Sequence, residues 1–338
     1  MDCRGSGLCF LASLFFAYLN AAAQRVHWPT PDSSFFAGAL IQDVLQPTAS
    51  GRLDSALFGC VRNSGYRFHE GLDLKSIHRD KRGESVDRVY AVMSGRVAYV
   101  NNQPGKSSYG CYVVLEHPSR NVSVYTLYAH LTADSIQLKQ GMRVNAGDVL
   151  GTMGRTAGGY VIPKQRAHLH FELGVRLTEQ FDKWYARQSY EFENFHGNYN
   201  GRNLIGMDPV KFFKTVRQGD FTSFEDYIKS LSTAFTVRVG LGRVPDFVRR
   251  YPRLLSQKIP ENGLVGWEIE FTWYGLPKKW TPLKSLDMGV SANRKLTLIS
   301  YDSETLEERC RGLLEKKSGR VRMSEDLAET IRLLFAYP

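Results

Sequence analysis

The sequence predicts an all-β domain of compact antiparallel sheets followed by a smaller α+β region. Between about residues 58 and 177, short β-rich runs alternate with turns marked by Gly, Pro and Asn. Past about residue 219, strand-like runs lead into one helical pattern near the end. The length of 338 residues suits about two domains. A composition of 43 % hydrophobic and 23 % charged residues describes a folded globule and excludes a disordered chain.

The first residues stand apart. Residues 8–22 are largely apolar, Arg4 supplies a positive flank, and Ala21-Ala22-Ala23 precedes Gln24. This is the pattern of a signal peptide, residues 1–23, with an Ala-x-Ala cleavage site. A buried core helix or a membrane anchor competes, but the run is short for a span of roughly 20 residues. Cys9 lies inside the apolar run, which argues against a lipoprotein. Beyond Gln24 no membrane-length apolar stretch occurs. The expectation is an exported protein of the periplasm, cell envelope or medium, with no stable membrane insertion once the signal is removed.

Cleavage removes Asp2 and Arg4, one charge of each sign, so the formal net charge stays at +10. A basic exported protein is drawn to anionic polymers. Export argues against nucleic acid as the natural partner. A generally basic, soluble surface is the plainer alternative. Cleavage also leaves three cysteines, Cys60, Cys111 and Cys310. An odd number permits at most one internal disulfide. Cys60 and Cys111 both fall in the β-domain, which makes them the expected pair.

Residues 24–57 read as a leader segment with some local structure, punctuated by Pro29, Pro31, Pro47 and Gly51. Residues 89–93 and 96–100 flank Ser94-Gly95, a hairpin signal. Residues 110–117 and 122–131 follow as β-runs, and Gly141, Gly147, Gly151 and Gly154 mark turns around Val144 and Val149-Leu150. The polar, aromatic stretch 178–203 interrupts the pattern, and a loop this long inside a compact domain is usually functional or disordered. Asp208-Pro209 starts a helix, with proline suited to its first position. Residues 219–338 form a second unit, with strands at 234–241, 266–273 and 295–301. Its last helix is capped by Ser324 and carries Leu327, Ile331 and Leu334 on one face. The basic segment 243–253 reads as a solvated face.

Three short motifs carry chemistry. In His69-Glu70-Gly71-Leu72-Asp73, strand alternation turns His69, Gly71 and Asp73 one way. Gly71 keeps the space between an imidazole and a carboxylate open, as two ligands of one metal require. In His168-Leu169-His170-Phe171-Glu172-Leu173, alternation puts His168, His170 and Glu172 on one face and the apolar residues on the other. Tyr128-Ala129-His130-Leu131 ends a strand. Each motif alone is common, and His130 alone would be a structural histidine. Together, in β-context and in an exported chain, they suit a zinc hydrolase. His117 reads as structural. His27, His78 and His196 have no partner pattern. Tyr66 and Arg67 could contact substrate, with packing the plainer role.

These segments resemble the M23 family of zinc metallopeptidases, the LytM/lysostaphin-like cell-wall endopeptidases. The resemblance runs from about residue 58 to 213. It includes Gly65-Tyr66-Arg67-Phe68-His69-Glu70-Gly71-Leu72-Asp73, Tyr90-Ala91-Val92-Met93-Ser94-Gly95-Arg96-Val97, Tyr128-Ala129-His130-Leu131, Gly141-Met142-Arg143-Val144-Asn145-Ala146-Gly147, His168-Leu169-His170-Phe171-Glu172 and Asp208-Pro209. It implies a β-sheet groove walled by loops, a LytM-type peptidase domain at 58–218, and one Zn²⁺ per chain on His69, Asp73 and His170. His130 and His168 are implied as the catalytic pair, with their separate jobs left open. Peptidoglycan, or another peptide polymer, is the implied substrate. The chain departs from the pattern in the long loop 155–167 and in the insertion 178–203, which is expected to border the groove. Two alternatives stand beside this reading: a non-catalytic LytM-type module of the envelope, and a secreted protease acting on proteins.

Overall fold

A computed structural model describes residues 26–118, 123–285, 296–306 and 310–336. The expected signal peptide lies outside the described residues. Among the described residues no helix is long and apolar enough to cross a membrane.

The leader segment is built into the core. Trp28 and Phe35 are buried, and the Trp28 ring lies 4.8 Å from Phe213. Leu45 bridges Leu74, and the Gln46 N–H donates to the Asp73 carbonyl at 2.9 Å. Next, β1 (Gly59–Arg62) and β2 (Arg67–His69) form a hairpin, followed by β3 (Leu72–Lys75), β4 (Arg88–Tyr90) and β5 (Gly95–Asn101). Then come β6 (Cys111–Pro118), β7 (Ser123–Leu131), β8 (Arg143–Val144), β9 (Val149–Thr152) and β10 (His168–Arg176). After α1 (Phe181–Tyr185), β11 (Leu204–Met207) and α2 (Pro209–Gln218) follow. The main sheet is antiparallel and runs β11-β10-β7-β6-β5-β8, with β3 also on β10. The first half of β10 pairs with β3 and its second half with β11, while β7 runs along the other edge.

Alternation sorts the two faces of this sheet. Leu169, Phe171 and Leu173 enter the main core, where Phe171 meets Tyr128 and, from α2, Phe213. Asp208 caps α2 by accepting from the N–H groups of Val210 and Lys211, and Gly219 closes it at φ +80°. The opposite face carries His170 and Glu172 beside a smaller cluster of Tyr112, Val114, Tyr125, Leu127 and Ala129.

The hairpin expected around Ser94-Gly95 does not form. β4 pairs with β9, and β5 pairs with β6 and β8. Gly95 serves a close approach instead, since a Cβ there would lie 2.4 Å from the Glu116 carbonyl oxygen.

Past Gly219 come α3 (Phe224–Ser230), β12 (Phe235–Val239), α4 (Asp246–Arg250), β13 (Gly266–Phe271), β14 (Pro277–Leu283) and β15 (Leu296–Tyr301). The strands form one antiparallel sheet, β14-β13-β12-β15. A hairpin of β16 (Leu314–Lys317) and β17 (Arg320–Met323) precedes α5 (Glu325–Leu334). The Ser324 hydroxyl accepts from the Leu327 N–H, and Leu327, Ile331 and Leu334 are buried, as their spacing predicts. β14 has no counterpart in the sequence reading. Its two prolines argue against a strand, and they are tolerated here because β14 lies at a sheet edge.

This region packs on the β1–β2 hairpin. Tyr274 meets Phe58 at 5.2 Å, Trp273 meets Phe68 at 5.9 Å, and the Arg311 guanidinium lies 4.9 Å over the Phe68 ring. The disulfide joins Cys60 to Cys310, and Cys111 is free and buried. The expected Cys60–Cys111 bridge is therefore corrected. Cys60 lies on β1, which among the described residues pairs only with β2, whereas Cys111 opens β6 within the main sheet. In protein beginning at Gln24, thiol counting on denatured, unreduced material should find one free cysteine, and peptide mapping should identify it as Cys111. Cys310→Ser should destabilise by about 2–5 kcal/mol. A recovered Cys60–Cys111 peptide would reject the assignment.

Candidate metal centre

Register builds the site. β3 and β10 pair so that His170 stands directly opposite Asp73, and on the other side of β10 it faces the small Ala129. Opposite residues of an antiparallel pair share a face. His69 arrives differently from the single strand expected. It ends β2, the chain bends at Gly71, and β3 restarts at Leu72. The bend needs glycine: a Cβ at position 71 would lie 2.3 Å from the Phe171 carbonyl oxygen.

The three side chains converge. His69 Nε2 lies 3.0 Å from His170 Nδ1 and 3.1 Å from Asp73 Oδ1, and His170 Nδ1 lies 3.0 Å from the same oxygen. All three residues are buried and form the candidate metal group among the described residues. A tetrahedral ion with bonds of about 2.0 Å separates its ligands by roughly 3.3 Å. The triangle is close to one face of that tetrahedron. Two imidazole nitrogens and one carboxylate oxygen are also a donor set that zinc accepts, leaving a fourth position for water. The residues present therefore fit the ion.

The outward nitrogens explain why the inward ones are available. His69 Nδ1 donates to the Leu57 carbonyl at 2.7 Å, and His170 Nε2 donates to Glu172 Oε1 at 3.0 Å. A proton held on the far side of the ring leaves a lone pair on the near side. His130 and His168 follow the same rule. Their Nδ1 atoms donate to the carbonyls of Thr156 and Arg166, each at 2.7 Å. Their rings lie 4.8 Å apart, and His168 Nε2 comes within 3.7 Å of Asp73 Oδ2. His130 adopts the left-handed φ of +62°, which is costly for a residue with a Cβ and aims the ring toward the group.

The electrostatics set His130 and His168 apart from His170. Burial holds His130 well below the usual imidazole value, with His168 and His170 adding to the effect. Burial also lowers His168, so both of these rings are neutral at pH 7. Burial opposes charge on His170 too, but hydrogen bonds to Asp73 and Glu172 outweigh it and raise this ring. Burial pushes the Asp73 carboxyl up, and His69, His168 and His170 more than reverse this. Binding of a metal at His170 would accordingly release a proton.

A residue of the hairpin also reaches the centre. The Arg62 guanidinium bonds Asp73 Oδ2, and its Nε donates to the Ser55 carbonyl. Arg62 thereby occupies one carboxylate oxygen and leaves the other for the metal group. A lone arginine seven residues before His69 carries no local signal of this. Tyr66 and Arg67 are exposed on the same hairpin.

The walls are also fixed. Arg155 bonds Glu84 through two nitrogens at 2.8 Å each, and Lys164 reaches the same carboxylate, which pins loop 155–167. A mainly apolar hollow of about 500 Å³ lies beneath this loop, lined by Thr156, Tyr160, Val161, Met153 and Pro104. Of segment 178–203, the part around His196 and Tyr199 lies on the face that bears His170, while Phe181 and Trp184 join the main core. His196, which showed no partner pattern in the sequence, sits 3.0 Å from the hydroxyls of Tyr99 and Tyr112, and Tyr199 stacks on Tyr99. His27 and His78 have local partners, Trp28 O and Asp87.

The fold thus places a candidate metal-ligand triangle on an antiparallel sheet. Residues 67–182 match the model of peptidase family M23, the family whose motifs the sequence resembles. Three solved structures are similar in part. A Pseudomonas aeruginosa protein assigned to peptidase M23 is 24 % identical over 31 % of this chain and 37 % of its own, with TM-score 0.24. A zinc-containing peptidase from Vibrio cholerae is 27 % identical over 38 % and 35 %, with TM-score 0.27. The catalytic domain of lysostaphin from Staphylococcus simulans is 20 % identical over 45 % and 82 %, with TM-score 0.27. The chain thus spans little more than a third of the first two. No curated protein matches the sequence.

His117 is structural, as its place before Pro118 suggests. It is 1 % exposed, its Nδ1 donates to the Ser94 carbonyl, and Nε2 lies 2.7 Å from Thr126 Oγ1. Burial lowers it to about 4 from 6.5. The unfolded chain binds this proton between those pH values and the folded chain does not. Stability should consequently fall as pH drops from 6.5 towards 4, by about 3 kcal/mol from this group. His117→Gln should flatten that part of the pH–stability curve, measured by denaturant melts with the metal state held constant. An unchanged slope would contradict the assignment.

Proposed function

We propose that the chain is an exported zinc metalloendopeptidase that hydrolyses peptide bonds, with peptidoglycan cross-links or stem peptides as substrate. The observation that carries this is the triangle of His69, Asp73 and His170 with two neutral histidines turned toward it. The match to peptidase family M23 over residues 67–182 supports it. The division of the chain at about residue 219 into a peptidase unit and a C-terminal unit belongs to the same proposal, as does the signal peptide at 1–23.

Zinc, held by His69, Asp73 and His170, would supply Lewis acidity toward the scissile carbonyl and would bring the pKa of a water to about 7. His130 and His168 do the proton work. Each keeps its Nδ1 proton on a carbonyl and presents a free Nε2, so either ring can accept a proton from water and return it to the leaving amine. Once protonated, the imidazolium can stabilise the developing oxyanion. Arg62 holds Asp73 in place. The hollow under loop 155–167, next to the carbonyl that holds His130, suits an apolar group of the substrate. The stretch 178–203, with His196 and Tyr199 over the sheet, borders the groove at the other end.

A non-catalytic module would be expected to lack one of these five residues, and all five are present in the chain. The distinction between metal ligands and proton carriers is testable. His170→Ala should lose both zinc and activity. His168→Ala and His130→Ala should keep near-stoichiometric zinc and turn over at least about a hundredfold slower. Elemental analysis paired with hydrolysis of purified peptidoglycan and of an unfolded protein, with and without chelator, reads both. Empty His168→Ala with full His170→Ala would reverse the assignment. Activity in all three variants would remove the zinc-peptidase reading, and cleavage of the unfolded protein alone would replace the wall substrate.

A further inference from the structure

Of the four histidines at the centre, three rest their outward nitrogen on a backbone carbonyl: Leu57 for His69, Thr156 for His130 and Arg166 for His168. His170 alone rests on a carboxylate. That carboxylate is itself enclosed. Glu172 is 1 % exposed, and its two oxygens accept from Tyr109 Oη and, at 3.0 Å, from Tyr125 Oη. The two tyrosine donors are neutral O–H groups, so they orient the carboxylate charge toward His170 rather than cancel it.

Local structure makes the enclosure specific. Glu172 is two residues beyond His170 on β10 and shares its face. Tyr125 stands opposite Gly174, where a Cβ would lie 2.7 Å from the tyrosine ring, so glycine lets the ring reach Glu172. Tyr109 lies against the His170 ring, 5.4 Å between centroids at 33°. Its own carbonyl accepts the His130 N–H at 3.0 Å. That bond holds His130 in its left-handed conformation. Gly110 follows Tyr109 at φ +63°, and a Cβ there would lie 2.3 Å from the Thr156 carbonyl, the acceptor of the His130 ring. One residue thus touches both halves of the centre.

We propose that Tyr109 and Glu172 are positioning residues: Glu172, oriented by the Tyr109 and Tyr125 hydroxyls, keeps the His170 proton on Nε2 and its Nδ1 open to the metal, while the Tyr109 carbonyl sets His130. The proposal rests on His170 as a metal ligand. An anionic acceptor behind a ligating imidazole fixes its orientation and raises its basicity, and losing such a partner costs 10–100-fold in metal affinity. Neither residue touches substrate in this scheme.

The test is zinc affinity of the full chain from Gln24, measured by competition with a chromophoric chelator, beside the melting temperature of the zinc-free protein. Tyr109→Phe keeps the ring and the carbonyl and removes only the hydroxyl. Glu172→Gln keeps the shape and removes the charge. Each should weaken zinc binding about 10–100-fold. Excess zinc should restore most of the turnover, which a general loss of packing would not allow. Tyr128→Phe removes a buried hydroxyl on the opposite face, bonded to Val92 N and Thr126, and should leave zinc affinity unchanged. If Tyr109→Phe folds poorly, Glu172→Gln decides alone. Zinc affinity within twofold of the parent for a folded Glu172→Gln, or an equal loss in Tyr128→Phe, overturns the proposal. A parent that binds no zinc also overturns it, whereas a parent that binds zinc tightly but cleaves nothing refutes only the peptidase reading.

Discussion

The pairing of β3 with the first half of β10 is the constraint on which the site depends. It sets Asp73 against His170, and it does so through backbone hydrogen bonds that have no stake in the chemistry. A slip of one residue would turn Asp73 to the other face, because side chains alternate with period two. Several features guard the register. Leu72 and Leu74 are wholly buried on the core side, the leader segment bonds the outer edge of β3 at Gln46, and β7 fixes β10 from the other side.

Around that pair the protein controls imidazoles by their backs. Each of the four rings at the centre has a fixed acceptor for one nitrogen, supplied by the chain itself. This decides which atom is left to act, without any contact to the acting atom. Burial then keeps His130 and His168 uncharged, while hydrogen bonds to Asp73 and Glu172 raise His170. Similar rings end up with different properties because their second partners differ.

Much of this was legible in the sequence because it follows strand period. His168, His170 and Glu172 share a face, as alternation predicts, and Asp208, Gly219 and Ser324 mark helix ends by local chemistry. What failed depends on distant chain. The bend at Gly71 is required by the Phe171 carbonyl, which the motif cannot reveal, so His69 and Asp73 converge by a route other than one straight strand. Ser94-Gly95 has hairpin composition, but β4 and β5 take other partners. Arg62 and Tyr109 have no signature because their roles arise only when β1 meets β3 and the start of β6 meets β10. The disulfide was misread because sequence neighbourhood is a poor guide to pairing.

That disulfide spans 250 residues. Domains tend to fold as they emerge, N-terminal part first. All five residues of the centre, from His69 to His170, leave the ribosome before Cys310 is made. The covalent tie on the hairpin that bears His69 therefore cannot close until residue 310 exists, and it joins that hairpin to the region that packs on Phe58 and Phe68. A copy cut short ahead of residue 310 retains every residue of the centre yet lacks the tie, so the bond distinguishes a finished molecule from an unfinished one.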